Sequence, residues 1–492
     1  MTWHAAIDLG AGSGRALVGR VGADELRVEE VHRFRYAPRP AGGRLRWDIE
    51  RLFEGVRAGV LAAGELAAGG GAALTSVAVD SWGVDYGLID GSGRLVEEPV
   101  CYRDDRTSGV MEQVFAKVPR DEIYRRTGIQ FHQLNTLFQL AAHVRDGIPP
   151  GAARLLLMPD LCHHRLCGSE ACERSDASTT QLLDARTGEW DDELFARVGL
   201  PRHLMPPLVA TGTALGPLGE DLSSRPGLGD ARVVAGPTHD TASAVAATPL
   251  EPGWAYISSG TWSLVGVERD RPIMTAEALA ANFTNEAGAF GSIRFLKNVM
   301  GLWLLESCRR EWAESGRGLE LADLLARVAA VKDFVGFVMP DSSRFFNPTR
   351  MVREIQSALV EAGQPAHDDP VLLTRVILDS LALRYAAVVA DIERVTGSAV
   401  EGIHVVGGGS LNDVLNQATA DATRRPVAAG PSEATAIGNL LVQAVAAGTL
   451  ASLAGGRDLV RRVMPPRRFE PQAARDWNAA ARRYREVESA RA

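Results

Sequence analysis

The sequence predicts an α/β protein built from two similar domains, and two observations carry that prediction. An apolar strand, a glycine turn and a second strand occur at residues 5–21 and again at residues 256–267. Later in each half another predicted strand ends at small or polar residues, residues 76–80 in the first half and 403–406 in the second. The long spacing favours a duplicated domain over a solenoid, whose repeats are roughly 20–50 residues long.

Helical periodicity between these strands extends the same interpretation along the chain. It is clear at residues 371–392 and again at 412–422. Strands that alternate with helices predict sheets covered by helices. Prolines and a glycine at residues 247–253 mark the expected join, so we predict domains at 1–247 and 248–492. Two such domains would leave a cleft between them, where ligands usually bind.

Composition and charge exclude several classes of function. The 492 residues carry a net charge of −8, which argues against a nucleic-acid partner. The first residues lack the charged and apolar regions of a signal peptide. The longest stretch of small apolar residues, 56–74, is interrupted by Arg57 and Glu65 and is no membrane span. Five irregularly spaced cysteines favour a reducing compartment, so we expect a cytoplasmic protein without a membrane partner.

The clustered residues Cys162, His163, His164, Cys167 and Cys172 allow two interpretations. They suggest a metal site, but their spacing is not that of two short ligand pairs. The alternative is a strand at residues 155–158 that leads into a buried helix with cysteines in its core. The sequence favours the buried helix.

Residues 8–15, Asp-Leu-Gly-Ala-Gly-Ser-Gly-Arg, form the first candidate phosphate site. Glycines let the backbone approach a ligand closely, and their N–H groups can face phosphate oxygens. Asp8 would face a phosphate-bound Mg²⁺, which prefers oxygen ligands. The turn lacks the helix that follows a dinucleotide-binding glycine motif, and the chain has no Gly-Lys-Ser/Thr sequence. An ordinary β-hairpin turn is the alternative.

Asp240 is the candidate catalytic base. It follows the predicted strand 233–235 and would open a helix of small residues, between His239 and Thr241. A positioned carboxylate is the usual proton acceptor when a hydroxyl group attacks ATP. The alternative role of such a residue is a helix N-cap.

Two turns in the second half are further candidates for nucleotide contact. Residues 258–261, Ser-Ser-Gly-Thr, offer hydroxyl and N–H groups, and residues 407–410, Gly-Gly-Gly-Ser, follow a predicted strand. A hairpin turn and a tight strand-to-helix connection are the respective alternatives.

The chain resembles the FGGY family of carbohydrate kinases in motifs that run in the family's order over nearly its whole length. The matching segments are residues 8–15, 47–48, 80–86, 102–104, 128–131, 157–160, 239–245, 258–264, 296–305 and 405–412. The resemblance implies two actin-like (ribonuclease H-like) domains with an interdomain cleft. It also implies that the sugar binds mainly to the first domain and ATP between the two.

The resemblance further implies roles for single residues. Asp240 matches the family's proton acceptor. The positions that match ketose-binding residues are Gly83, His239, Asp240, Thr241 and Asn298. The positions that match nucleotide-binding residues are Ala11, Gly12, Ser13, Gly14, Arg15, Thr261, Glu306 and Gly408.

The activity implied by the resemblance is transfer of the γ-phosphoryl group of Mg²⁺-ATP to the 1-hydroxyl of a ketose. The first candidate for this ketose is L-rhamnulose. L-Fuculose and D-xylulose are alternative substrates, and a non-catalytic actin-like sugar-responsive protein is the alternative class. Partners would be the ketose and ATP or ADP, with a monomer or homodimer as the assembly.

Two positions depart from the family's pattern. Gly12 stands where serine is common, which keeps the N–H groups of the loop. Glu306 stands where glutamine is expected, and an ionised carboxylate cannot donate a hydrogen bond to ATP. If Glu306 faces the nucleotide, we expect its charge to be offset by Arg309 or Arg310, with Arg310 four residues along the same helix face. The alternative is that Glu306 points to solvent.

Overall fold

The computed structural model describes residues 1–489 and divides the chain into two compact units. The first unit comprises Met1–Pro249, Glu268–Phe295 and Ala434–Val463, and the second comprises Leu250–Val267, Leu296–Glu433 and Met464–Ala492. The units therefore interleave along the chain, whereas the predicted domains 1–247 and 248–492 are consecutive. That division stays a prediction, and residues 490–492 of it lie outside the described residues.

A six-stranded sheet organises the first unit. Its strands in spatial order are Thr213–Pro217, Arg232–Ala235, Ser76–Ser81, Thr2–Leu9, Ser13–Val21 and Leu26–Arg35. The strand Thr2–Leu9 pairs antiparallel with Ser13–Val21 and parallel with Ser76–Ser81. Arg232–Ala235 also runs parallel to Ser76–Ser81. The C-terminal ends of Thr2–Leu9, Ser76–Ser81 and Arg232–Ala235 therefore lie at one edge of the sheet, where Asp8 is located.

Helices cover both faces of this sheet, as the apolar strands require. Successive side chains of a strand point to opposite faces. Ala6 and Leu17 pack against Leu440 of the helix Ala434–Ala446. Gly59 of the helix Ile49–Gly69 lies against Ala16 and Ile7, which belong to the other face.

A second sheet repeats the same order of strands. Its strands in spatial order are Thr284–Ala287, Ile293–Met300, Trp262–Arg269, Trp254–Ser259, Gly402–Val406, Val427–Ala429 and Arg467–Phe469. Trp254–Ser259 occupies the place of Thr2–Leu9, with an antiparallel neighbour on one side and the parallel strand Gly402–Val406 on the other. The repeated hairpins in the sequence are therefore the central strands of two sheets built alike, and the prediction of a duplicated α/β fold is confirmed.

The remaining elements surround these sheets. The helices of the first unit are Ile49–Gly69, Val110–Phe115, Arg120–Thr127, Thr136–Asp146, Met158–Cys167, Arg174–Thr179, Asp192–Val198, Glu220–Ser223, Asp240–Ala247, Ala276–Ala280, Ala434–Ala446 and Leu453–Val463. The helices of the second unit are Trp303–Glu314, Leu321–Ala330, Met351–Glu361, Pro370–Thr396, Asp413–Thr423 and Trp477–Ser489. Short strand pairs join Arg39–Ala41 to Arg44–Arg46, Tyr86–Asp90 to Ala152–Leu157, Cys172–Glu173 to Leu208–Val209, and Leu183–Asp184 to Glu189–Trp190.

The cysteine-rich segment is a strand followed by a buried helix. Ala152–Leu157 leads directly into Met158–Cys167, and the Cys162 and His163 side chains are buried. Across residues 1–489 no three His, Cys, Asp or Glu side chains are grouped so that they could hold a metal ion. None of the helices described is long and apolar enough to cross a membrane.

The chain after residue 465 is rich in arginine and alanine, yet part of it is buried. It forms the strand Arg467–Phe469 and the helix Trp477–Ser489, and Trp477 is buried. Arg475 places its guanidinium 3.5 Å from the ring centroid of Phe334, and Trp477 meets the same ring edge-on. The arginine-rich composition concealed this apolar contact, because arginine side chains themselves stack on aromatic rings.

Candidate functional site

The glycine turn of the first unit is a β-hairpin turn with an open tip. The Gly10 N–H donates to the Ser13 carbonyl at 3.0 Å, and the Tyr36 hydroxyl donates to the Gly10 carbonyl. Ala11 and Ser13 are half-buried and Gly12 is exposed. A Cβ placed on Gly12 would meet no atom within 4 Å. Space beside the turn is therefore free for a ligand at Gly12.

Gly14 has a different reason to be glycine. A Cβ on Gly14 would lie 2.3 Å from Cζ of Phe34, and a Cβ on Gly55 would lie 2.1 Å from Cδ2 of the same ring. The Phe34 ring thus fills the space between a strand and the helix Ile49–Gly69. Packing alone explains the glycine at position 14, although its role toward a nucleotide stays a prediction.

Asp8 lies at the end of its strand next to Asp80. The two residues are partners in the register of the parallel strands, and both side chains are buried. Arg15 Nη2 forms an ion pair with Asp8 Oδ2. Burial raises the pKa of Asp80 well above its usual range, and the charge of Asp8 adds to this rise. Asp80 Oδ2 accepts a hydrogen bond from Asn439 at 2.5 Å, whereas Asp80 Oδ1 has no hydrogen-bond partner.

The loop that carries His239 and Asp240 is anchored by the buried carboxylate of Glu173. Glu173 Oε2 accepts hydrogen bonds from the Thr238 N–H at 3.1 Å and the Thr238 hydroxyl at 3.0 Å. The same oxygen accepts from the N–H and hydroxyl of Ser175, and Ser175 Oγ in turn accepts from the His239 N–H at 3.2 Å. One carboxylate therefore fixes the backbone from Thr238 to His239.

Asp240 is the first residue of the helix Asp240–Ala247. The N-cap position belongs to His239, which makes no capping hydrogen bond with its side chain. The Asp240 side chain is 30% exposed, and its Oδ1 accepts a hydrogen bond from the Thr241 hydroxyl at 3.0 Å. Desolvation raises the pKa of Asp240, His239 opposes that rise, and the Asp8 charge adds to it. Asp240 is thus a solvent-accessible carboxylate rather than the N-cap of the helix.

His239 lies between Asp240 and a buried ion pair. Its Nε2 is 3.5 Å from Asp240 Oδ1, and its Nδ1 is 3.0 Å from Arg294 Nη2. Glu286 Oε2 is 3.4 Å from the same Nδ1 and 3.1 Å from Arg294 Nη2.

Gly83 allows the side chains of Thr179 and Asp176 to lie close to its backbone. A Cβ on Gly83 would lie 2.7 Å from Thr179 Oγ1 and 3.0 Å from Asp176 Oδ1. Thr179 Oγ1 also accepts a hydrogen bond from the Val84 N–H at 3.1 Å. The buried Asp85 accepts from Trp47 at 2.7 Å and from Trp82 at 3.1 Å, both through Nε1. These contacts hold the segment that includes Gly83 in one conformation.

In the second unit, Thr261 lies at the exposed tip of a hairpin. Its carbonyl accepts hydrogen bonds from the Gly301 N–H at 3.1 Å and the Trp303 N–H at 3.2 Å. A Cβ on Gly301 would lie 2.6 Å from Ser263 Oγ, so glycine is needed for this contact. Asn298 precedes Gly301 on the strand Ile293–Met300 and is half-buried.

The three consecutive glycines have separate explanations. Gly407 has a φ of +80°, and a Cβ on Gly409 would lie 1.9 Å from Ser259 Oγ. Gly408 has neither constraint, because it is exposed and its Cβ would meet nothing within 4 Å. Backbone conformation therefore accounts for Gly407, packing accounts for Gly409, and open space remains beside Gly408.

Glu306 lies in the first turn of the helix Trp303–Glu314 and is 53% exposed. Its carboxylate pairs with Arg309 at 3.0 Å. Of the two expected partners, Arg309 is therefore the one that pairs with Glu306, whereas Arg310 donates to Ser307 Oγ at 3.2 Å and lies over the Trp303 ring.

The sequence did not single out Glu173 and Arg294. In the structure Glu173 contacts the loop at Thr238, and Arg294 contacts it at His239. Glu173 carried little signal, because glutamate is not among the residues favoured at helix N-caps, although in the structure it occupies the N-cap of the helix Arg174–Thr179 and accepts from the Ser175 N–H. Arg294 gave no signal, because a single arginine within a strand normally reaches solvent.

The residues around Asp8 fit a divalent cation. Mg²⁺ is usually held by one or two carboxylates together with water and substrate phosphates, so three protein ligands are not required. Asp8 supplies carboxylate oxygen atoms of the kind that Mg²⁺ prefers, whereas its neighbour Asp80 is fully buried and its raised pKa favours the neutral form, which suits a cation poorly.

Comparison with known proteins finds matches over nearly the whole chain. Residues 3–247 match the N-terminal domain, and residues 255–447 the C-terminal domain, of the FGGY family of carbohydrate kinases. A rhamnulokinase of Bacteroides thetaiotaomicron is 41% identical over 478 residues, which are 96% of this chain and 97% of that protein. A rhamnulokinase of Pectobacterium carotovorum is 40% identical over 490 residues, with coverage of 97% and 95%.

Among solved structures, a gluconate kinase from Lactobacillus acidophilus superposes with a TM-score of 0.80. It covers 99% of this chain and 98% of its own at 13% sequence identity. A likeness at that identity supports the fold, which is that of two actin-like (ribonuclease H-like) domains.

Proposed function

Because the chain belongs to the FGGY family of carbohydrate kinases, we propose that it phosphorylates L-rhamnulose at the 1-hydroxyl with ATP. The products are L-rhamnulose 1-phosphate and ADP. The relatives named rhamnulokinase, at 40% and 41% identity over nearly the whole chain, support this choice among the family's sugars.

The observation that carries the proposal is the segment from His239 to Thr241. It presents a reachable carboxylate at the start of a helix, with a hydroxyl and an imidazole beside it. The positive end of the helix and these donors suit a site that holds a polar substrate and receives a proton.

The proposed reaction assigns one proton transfer to Asp240. The 1-hydroxyl of the ketose gives its proton to Asp240, and its oxygen forms a bond to the γ-phosphorus as the bond to the β-phosphate oxygen breaks. Asp240 has to be ionised beforehand, and it later releases the proton to water. Gly83, His239, Thr241 and Asn298 are proposed to bind and orient the ketose.

The nucleotide side of the proposal uses exposed turns in both units. Residues 11–15 and the exposed Thr261, Gly408 and Glu306 are the proposed contacts to ATP. Asp8 is proposed to hold Mg²⁺, which neutralises phosphate charge when bound. In the structure Arg15 pairs with Asp8, so this arginine is placed to balance the carboxylate charge.

The remaining proposals concern assembly and location. We propose domains at 1–247 and 248–492, in keeping with the two family models. We propose the cytoplasm as the place of action, because ATP is the phosphoryl donor and the five cysteines are free thiols in the structure. The assembly is proposed to be a monomer or a homodimer.

An assay of ADP release across several ketoses tests the proposed function. The purified chain with Mg²⁺-ATP is expected to give the highest kcat/KM with L-rhamnulose and lower values with L-fuculose and D-xylulose. A higher kcat/KM for one of the other ketoses would reassign the substrate. Absence of activity with every ketose, in a folded sample that binds ATP, would favour the non-catalytic alternative.

A further inference from the structure

Arg294 lies directly behind His239 and is fully buried. Its Nη2 is 3.0 Å from His239 Nδ1, its Nε donates to the Ala287 carbonyl at 3.2 Å, and Glu286 Oε2 is 3.1 Å away. All these residues belong to the first unit. The guanidinium is therefore held on two sides while it faces the imidazole.

The chemistry of arginine decides which nitrogen of His239 carries the proton. A guanidinium stays protonated in proteins and offers only donors. A short contact between Arg294 Nη2 and His239 Nδ1 is consequently a hydrogen bond only if Nδ1 is the acceptor. An imidazole that accepts at Nδ1 is neutral and carries its hydrogen at Nε2.

We propose that Arg294 is a positioning residue that holds His239 as the neutral Nε2–H tautomer, so that His239 donates a hydrogen bond to a ketose oxygen. This inference rests on the proposed function for the identity of the ligand. The Nε2 atom is the one that faces Asp240, at 3.5 Å from Oδ1. The donor would thus engage the sugar beside the hydroxyl whose proton Asp240 accepts.

Glu286 explains why the arginine is needed. Its side chain is 5% exposed, and its Oε2 lies 3.4 Å from His239 Nδ1. Without Arg294, this carboxylate would accept a hydrogen bond from an Nδ1–H group and favour the opposite tautomer or the imidazolium. The ion pair of Arg294 with Glu286 removes that option and leaves Nδ1 as an acceptor.

NMR determines directly which ring nitrogen of His239 carries the proton. Long-range ¹H–¹⁵N spectra of the full chain distinguish the two ring nitrogens, and His239→Gln identifies the signals of this histidine among ten. In the parent, near neutral pH, we expect Nδ1 of His239 to be unprotonated. Arg294→Met is expected to protonate Nδ1, whereas Arg294→Met combined with Glu286→Met is expected to restore the Nε2–H form.

Kinetics then separate positioning from folding. Arg294→Met is expected to raise KM for the ketose on the order of tenfold, or 1.4 kcal/mol, with KM for ATP unchanged. Arg294→Lys keeps a positively charged group that can only donate hydrogen bonds. This variant should therefore retain most of the affinity for the ketose. Arg375→Met is the matched control, because it removes another buried arginine, paired with Asp379 at 2.7 Å in the second unit.

The outcomes separate this proposal from the proposed function. A parent His239 that is protonated at Nδ1 overturns the inference, as does an Arg294→Met variant whose ring nitrogens are unchanged. If Arg294→Met does not fold, the parent spectrum and Arg294→Lys still decide the question. An Nε2–H tautomer in a chain that phosphorylates no ketose would contradict the proposed function and leave the tautomer assignment intact.

Discussion

Asp240 has to be ionised to accept a proton, and its surroundings oppose that ionisation. Desolvation raises its pKa, His239 counteracts part of the rise, and the Asp8 charge adds to it. A carboxylate with a raised pKa is inactive as a base below that pKa and active above it. Activity is therefore lost on the acidic side, at a higher pH than an ordinary aspartate would give.

The first prediction is an acidic limb in the pH profile. The value of kcat/KM for the ketose should rise with pH to a plateau, with a midpoint above the ordinary aspartate pKa of about 4. Initial rates at saturating ATP from about pH 4 to about pH 8 measure this midpoint. A profile that is flat down to an ordinary aspartate pKa, with the fold intact, would show that Asp240 is not the titrating base.

The second prediction concerns Glu306. Its carboxylate is exposed and pairs with Arg309, so the pair adds little to stability. Glu306→Gln is expected to leave Tm unchanged and to leave ATP affinity equal or higher, since an amide can donate a hydrogen bond and carries no charge. Calorimetric titration with ATP measures the change. A clear loss of affinity would mean that the carboxylate itself serves binding.

At the scale of elements, the glycine turn at residues 10–14 and the glycine run at residues 407–409 each use their glycines for two different purposes. Gly14 and Gly409 make room for Phe34 and Ser259, while Gly12 and Gly408 face open space. Replacement of Gly14 by valine would press on the Phe34 ring and cost about 1–3 kcal/mol of stability, so it is no clean probe of nucleotide binding. The open positions are the informative ones.

The third prediction follows for the turn at Gly12. Gly12→Glu should leave Tm unchanged, because its side chain has space, and should lower ATP affinity on the order of tenfold by excluding phosphate. Gly91→Glu is the matched control, since Gly91 is also exposed and its Cβ would meet nothing within 4 Å. Equal ATP affinity in the two variants would leave residues 10–12 a plain hairpin turn.

For the whole molecule, the sequence was sufficient for the fold and for the elements that carry the candidate site. The two hairpins, the strand before Asp240 and the helix Pro370–Thr396 lie where apolar periodicity places them. These patterns are local, so a single chain reveals them.

What the sequence did not reveal depends on contacts between distant segments. Glu173 reaches the loop at Thr238, and Arg294 reaches His239, through folding that brings separate stretches together. The interleaving of the two units along the chain has the same origin: the helix Ala434–Ala446 packs on the first sheet through Leu440. Periodicity cannot report which distant strand a helix will cover.

The measurement that tests the central claim most directly compares phosphoryl transfer and ketose binding in Asp240→Asn. This change keeps the size of the side chain and removes the proton acceptor. We expect kcat to fall on the order of 10²–10⁴-fold while the ketose Kd from calorimetry changes little. Asp230→Asn, at an exposed position of the same unit, should retain the parent kcat. A kcat for Asp240→Asn within a few-fold of the parent would contradict the assignment of Asp240 as the base.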